Sequence, residues 1–288
     1  MEKSHSSRNV LLAFLLNFCF AIIEFIFGVI LNSSAVLADA VHDTGDAIAI
    51  GLSAYLEKVS NKKTDLHYTL GYKRFSLLGA MITSTILITG SSMVIFENIG
   101  KVFRPEPVNY NGMLVLGILA IIINLLAARL VHHGHTANES MLSLHFLEDI
   151  LGWLAVILVA FILRFTDWYF LDPLLSLAIS IFILSKALPK FFANLQIFLE
   201  KAPEDLDLKA LETEILSLPK VKQVCQLNVW SMDGLKNVAM VHVLVDKGAD
   251  EPFIKDSVHH ILEKYAIIES AVEIDESLLE HYHHSEEP

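Results

Sequence analysis

The sequence predicts a membrane protein of two parts: an all-α domain of six transmembrane helices, then a small α+β domain with the order αββαβ. Three observations carry that expectation. The 288 residues are 53% hydrophobic with a mean hydropathy of +0.51, too apolar for an ordinary soluble domain. Six segments approach the roughly 20 apolar residues that a bilayer crossing needs. The charge is divided: residues 1–199 hold 13 Lys/Arg against 14 Asp/Glu, and residues 200–288 hold 8 against 19. The expected domains are therefore a six-span membrane domain over 1–199, a small soluble domain over 200–280, and a disordered tail over 281–288. An acidic C-terminal part argues against a nucleic-acid partner and suits cations. Cys19 and Cys225 lie far apart and suggest no disulfide framework.

The expected spans are residues 10–31, 34–56, 75–97, 111–130, 140–164 and 171–195. The first is long enough to stay in the membrane, so it does not read as a cleavable leader. The third, Phe75–Phe96, and the core of the fourth, Gly112–Ala128, contain no charged residue. The second and fifth contain several. Lys186, Pro189 and Lys190 mark the exit of the sixth. The loop after the second span carries Lys58, Lys62, Lys63, Lys73 and Arg74, and the N-terminus carries Lys3 and Arg8. Cationic loops stay on the cytoplasmic side. The N-terminus is therefore expected in the cytoplasm, and six spans return the C-terminal part there. In that part a helix is expected over Asp207–Leu216, strands over Val221–Trp230 and Lys236–Val245, a helix over Glu251–Tyr265 and a strand over Ala271–Ile274. Asp233-Gly234 supplies the hairpin turn, and β-branched runs such as "VAMVHVLV" favour strand.

The chemistry concentrates in "VLADAVHDTGDAI". His42 and Asp46 are four residues apart and share one face of a helix. "LHFLEDI" in the fifth span repeats the spacing with His145 and Asp149. Two such pairs offer two imidazoles and two carboxylates to one point, a four-ligand N/O set that suits Zn²⁺. Imidazole disfavours Mg²⁺ and Ca²⁺, which prefer oxygen shells. Two carboxylates also balance a dehydrated 2+ ion. The same groups titrate, so metal and protons compete for them, a direct route to metal/proton exchange. The bland alternative is a structural polar network, against which stands the rule that intramembrane ionisable groups serve function. Asp39 and Asp43 are candidates for outer-sphere support or for lining a water cavity. Glu148 reads as a cavity or helix contact, Glu24 as a buried or interfacial acid, and Glu97 as an ion pair with Arg104.

With "SSAVLADAVHDTGD", "LGYKRFSLLGA", "FENIGKVFRPEPV", "SLHFLEDILGW" and "FLDPLLSLAIS" in order, then "LNVWSMDG" and "VHVLVD", the chain resembles the cation diffusion facilitator family over nearly its whole length. It is most similar to the zinc-transporting branch. The resemblance implies a six-span domain, a ferredoxin-like cytoplasmic domain, a homodimer in the lipid bilayer, and alternating access. It implies Zn²⁺ export against inward protons through His42, Asp46, His145 and Asp149. It also suggests a second metal set in the cytoplasmic domain at His242, Glu273 and Asp275, where Zn²⁺ would be a regulatory ligand; a strand histidine is as readily an ordinary packed residue. The Asp172-Pro173 pair matches the family's start of the sixth span, with an N-capping or turn role. Departures are Arg74-Phe75-Ser76 where Arg-x-Glu is common, Asn228 where a histidine is common, and a last strand with no histidine before it.

The His132, His133 and His135 loop either captures metal or is simply solvated. His281, His283 and His284 fall in the expected disordered end. The expected function is efflux of divalent metal, Zn²⁺ with Cd²⁺ and Co²⁺ also compatible, with no organic cofactor, in a bacterial inner membrane. A metal-selective channel or a metal sensor is the competing class. An intramembrane metalloenzyme would need an HExxH-type base and an open coordination position; this sequence has no HExxH, and four protein ligands leave nothing open.

Overall fold

The computed structural model describes residues 2–132 and 137–277, and their side chains except at 2–14, Ile50, Ser53, Ala54, Glu57, 130–132 and 137–145. Two compact units result. One comprises Met1–Leu56 and Gly79–Phe191, the other Glu57–Leu78 and Phe192–Pro288.

The first unit is helical. Its elements are α1 (Glu2–Leu31), α2 (Ser34–Ser60), α3 (Arg74–Phe103), α4 (Tyr110–His132), α5 (Ala137–Leu163) and α6 (Leu171–Phe198), whose ends extend into the second unit for α2, α3 and α6. Among the described residues, four segments are long and apolar enough to cross a membrane: Arg74–Phe103, Tyr110–Arg129, Phe146–Leu163 and Leu171–Phe198. The described apolar part of α1, Leu15–Leu31, is shorter, and the apolar run of α2 is broken by Asp39, Asp43 and Asp46. Large apolar side chains such as Val29, Phe96, Val115 and Leu151 face outward, as a helix bundle in lipid requires. The interior joins α1, α4 and α5 through Phe20, Met113, Leu116, Trp153 and Val156. α2 meets α3 closely at two glycines: a Cβ at Gly45 would overlap the Leu87 side chain, and one at Gly90 would stand 2.6 Å from Val41 Cγ1. Small residues let backbones approach where lipid gives no hydrophobic drive for association. α6 runs through Pro189 to Phe198 rather than stopping there.

The second unit carries α7 (Leu208–Leu216), β1 (Val221–Ser231), β2 (Asn237–Val245), α8 (Glu251–Lys264) and β3 (Ile267–Asp275). Asp207, expected as the first helical residue, caps α7 instead, accepting from the N–H groups of Lys209 and Ala210 at 3.0 Å each. β1 pairs antiparallel with β2, and β2 pairs parallel with β3, giving the order β1-β2-β3 with α8 as the crossover. The hairpin turn holds Gly234 at φ 87, with Asp233 accepting from Leu235 and Lys236. β3 starts at Ile267, four residues before the expected Ala271, because Ala266 at φ 57 ends the preceding turn and "IIES" is already extended. The core lies on one sheet face, where Val241, Val243 and Val245 meet Leu211 and Ile215 of α7 and Ile254, Val258 and Leu262 of α8.

Candidate metal centre

α2 is a helix through an acidic stretch because alanines, Val36, Val41 and Ile48 fill its other positions. The 3.6-residue repeat then distributes its polar residues over different faces. His42 Nε2 stands 3.5 Å from Asp46 Oδ2, both side chains partly exposed, so the expected pair forms on one face. Asp149 of α5 is buried at 4% exposure. α5 approaches α2 at this level: a Cβ at Gly152 would stand 3.7 Å from Asp39 Oδ1. Asp39 and Asp46 of α2 lie within electrostatic reach of Asp149. The structure thus draws the His42–Asp46 pair and Asp149 into one neighbourhood. The side chain of the fourth expected ligand, His145, lies outside the described residues, though its backbone belongs to α5.

One group was not anticipated as a group. Glu24 of α1 and Asp39 and Asp43 of α2 are all buried, and one ligand atom from each lies within 4.8 Å of the others. Both Glu24 carboxylate oxygens, both of Asp43 and Oδ2 of Asp39 are buried side by side away from solvent. The Trp153 indole of α5 stands beside Glu24. The signal was available: an acid in the apolar first span, and an Asp one residue, hence about 100°, away from His42. Sequence alone did not say that the two would face each other.

Other expected positions resolve plainly. Glu148 reaches across to α6, where Lys186 Nζ stands 2.9 Å from both of its oxygens. Glu97 pairs with Lys101, one turn on along α3, and not with Arg104, since i,i+4 spacing favours the nearer cation. His132, His133, His135, His281, His283 and His284 lie outside the described side chains. In the loop between α2 and α3, Asp65 accepts from the N–H groups of His67 and Tyr68 and from the Tyr72 hydroxyl. That hydroxyl bond holds the Asp65 carboxyl below its ordinary range and pushes Tyr72 up to about 12.

In the second unit His242 and Glu273 are register partners across β2 and β3, with His242 Nε2 3.3 Å from Glu273 Oε2. They line an open pocket of about 670 Å³ together with Met240, Glu251 and Lys255. Asp275 follows two residues along β3 opposite Leu244, is buried at 6% exposure, and acts on Cys225. The strand geometry therefore joins His242 to Glu273 and sets Asp275 a step further along.

Similarity to known proteins bears on what such a centre serves. Residues 10–199 match the model of the cation efflux transmembrane domain. The chain is 30% identical to the zinc transporter ZitB of Pectobacterium atrosepticum, over 93% of this chain and 85% of that one. It is 29% identical to the metal cation efflux system protein CzcD of Cupriavidus metallidurans, over 84% of this chain and 77% of the relative. It is 29% identical to a cadmium, cobalt and zinc/H(+)-K(+) antiporter of Bacillus subtilis, over 95% and 90%.

Proposed function

We propose a function from one premise: the chain belongs to the cation efflux family. It is an integral membrane transporter that exports divalent metal, with zinc as substrate. That is the activity in the names of its relatives, one of which is named for exchange of cadmium, cobalt and zinc against protons and potassium. The family is one of transporters, not of enzymes.

His42, Asp46, His145 and Asp149 form the transport site. The observation that carries this is the pairing of His42 with Asp46 on α2 where α5 brings the buried Asp149 alongside. Neutral imidazole and ionised carboxylate take the metal, and protons arriving from the other side displace it, because both compete for the same lone pairs. Movement of α2 and α5 relative to the rest of the bundle alternates access between the two sides. All six helices cross, both termini lie in the cytoplasm, and the membrane is the bacterial inner membrane. The αββαβ unit is ferredoxin-like; it joins two copies into a homodimer, and His242, Glu273 and Asp275 sense cytoplasmic zinc. Residues 1–199 act as the transport part and residues 200–280 as the regulatory and dimerisation part.

The test is Zn²⁺ flux in proteoliposomes with and without an imposed pH gradient. Saturable flux that follows the gradient and disappears in Asp46→Ala/Asp149→Ala is the expected result. Flux that ignores the gradient points to a channel. Flux that survives both substitutions removes the pair from the transport path.

A further inference from the structure

Asp172, at the start of α6, is 1% exposed, and its carboxylate takes the first turn of another helix, α2. Ser34 N–H donates to Oδ2 at 2.6 Å, Ala35 N–H to Oδ1 at 3.4 Å, and the Ser33 hydroxyl to Oδ1 at 2.6 Å. Ser33 Oγ in turn accepts from Val36 N–H at 3.2 Å. The first N–H groups of a helix have no partner within it. Here Ser33 satisfies one from within the chain segment, and a residue 138 positions away satisfies two. The negative charge also faces the positive end of the helix dipole. Lys101 of α3, whose ammonium stands 3.5 Å from Ser34 Oγ, lies on the same corner and offsets that charge.

α2 is the helix that carries His42 and Asp46. Residue 42 lies eight residues beyond Ser34, about 12 Å along the axis. Along this stretch α2 meets α3 where Leu87 seats against Gly45 and Val41 against Gly90. To these packing contacts the bonds at the first turn of α2 add directional ones, which bear on its axial position and rotation. A rotation of one residue's worth would swing His42 off the face that meets α5.

We propose that Asp172 is a positioning residue for transport: by capping α2 from α6, it sets the depth and rotation at which His42 and Asp46 face Asp149. This rests on the transport reading above and adds a residue to it that touches no metal. Loss of the cap leaves α2 helical, since its interior bonds remain, but lets the ligand pair wander.

The experiment measures Zn²⁺ and Cd²⁺ flux in proteoliposomes for wild type, Asp172→Asn, Ser33→Ala and Asp46→Ala, each as folded, monodisperse protein. Asp172→Asn is expected to raise the KM for Zn²⁺ about tenfold, the size of effect seen when support around a ligand is removed, and to narrow the preference for Zn²⁺ over Cd²⁺. Ser33→Ala is expected to act in the same direction by about threefold, as for loss of one hydrogen bond. A merely structural role would lower the folded yield or melting temperature and leave the KM and the Zn²⁺/Cd²⁺ ratio of the folded protein at wild-type values; that result overturns the proposal. Should Asp172→Asn not fold, Ser33→Ala decides by the same two readouts. Absence of flux in wild type would overturn the transport reading and this inference with it. Wild-type flux abolished by Asp46→Ala upholds the transport reading, so that unchanged kinetics in Asp172→Asn then count against the positioning role alone.

Discussion

A single residue step decides what the acids of α2 do. Asp43 follows His42, and the turn of about 100° between them carries Asp43 to Glu24 of α1 while His42 keeps Asp46. Neighbours in sequence thus serve different surroundings. Cys225 gives a case outside the membrane. Its thiol is pushed up first by burial and then by the Asp275 carboxylate, with a bond from the Leu244 backbone pulling the other way. A neighbouring negative charge disfavours thiolate, so its removal lowers the pKa and raises the thiolate fraction at a given pH. In a Cys19→Ala background, maleimide labelling of Cys225 is expected to gain rate only above the ordinary thiol range. Asp275→Asn is expected to shift that rate–pH profile to lower pH. Superimposable profiles would show that Asp275 does not act on the thiol.

At the level of elements, the α2–α3 contact makes a prediction whose sign is informative. Alanine is the better helix former, by about 1 kcal/mol over glycine in a helix interior, so propensity alone would make Gly45→Ala stabilising. The Cβ would overlap the Leu87 side chain, which must give way from Cγ outward, and overpacking typically costs about 1–3 kcal/mol. Gly45→Ala is therefore expected to lower the thermal unfolding midpoint, and adding Leu87→Ala to recover most of the loss. An equal cost of Gly45→Ala with and without Leu87 would mean that the contact is not where the strain arises. This contact also shows which information sequence carries. The helical segments and the αββαβ order follow from hydropathy, periodicity and turn residues, all local properties. The His42–Asp46 pair is equally local, being one turn of one helix. The meeting of Glu24 with Asp43, the cap that Asp172 places on α2 and the pairing of His242 with Glu273 depend on packing between distant segments, and periodicity within one helix or strand contains nothing about its partner. Asp172 is the clearest instance: its capping chemistry was legible, but the helix it caps was not its own.

For the whole molecule, side-chain bonds at one end of the helical unit bear on topology. The Asn32 amide, in the turn from α1 to α2, donates to Glu106 and to the carbonyl of Pro107 in the loop from α3 to α4, each at 3.2 Å. Ser33, next to it, donates to Asp172 where α6 begins. The turn α1–α2, the loop α3–α4 and the entry to α6 therefore lie at one end of this unit. α3 is long and apolar enough to cross a bilayer, so the loop between α2 and α3, with Lys62, Lys63 and Lys73, belongs to the other side. On the proposed six-span topology α2 runs from the first side to the second, despite its acids. Positive loops face the cytoplasm, so the proposed orientation puts the Asn32–Glu106 end outside. Single cysteines in a cysteine-free background test this with a membrane-impermeant maleimide. Asn32→Cys and Glu106→Cys are expected to label in intact cells, and Lys63→Cys only after permeabilisation. Native Cys225, retained alone, is expected to behave like Lys63→Cys, because the four apolar helices α3–α6 separate the two and an even number of crossings returns the chain to the same side. Labelling of Asn32→Cys on the Lys63 side would mean that α2 does not cross. Labelling of Cys225 in intact cells would place an odd number of crossings between α3 and the C-terminal unit.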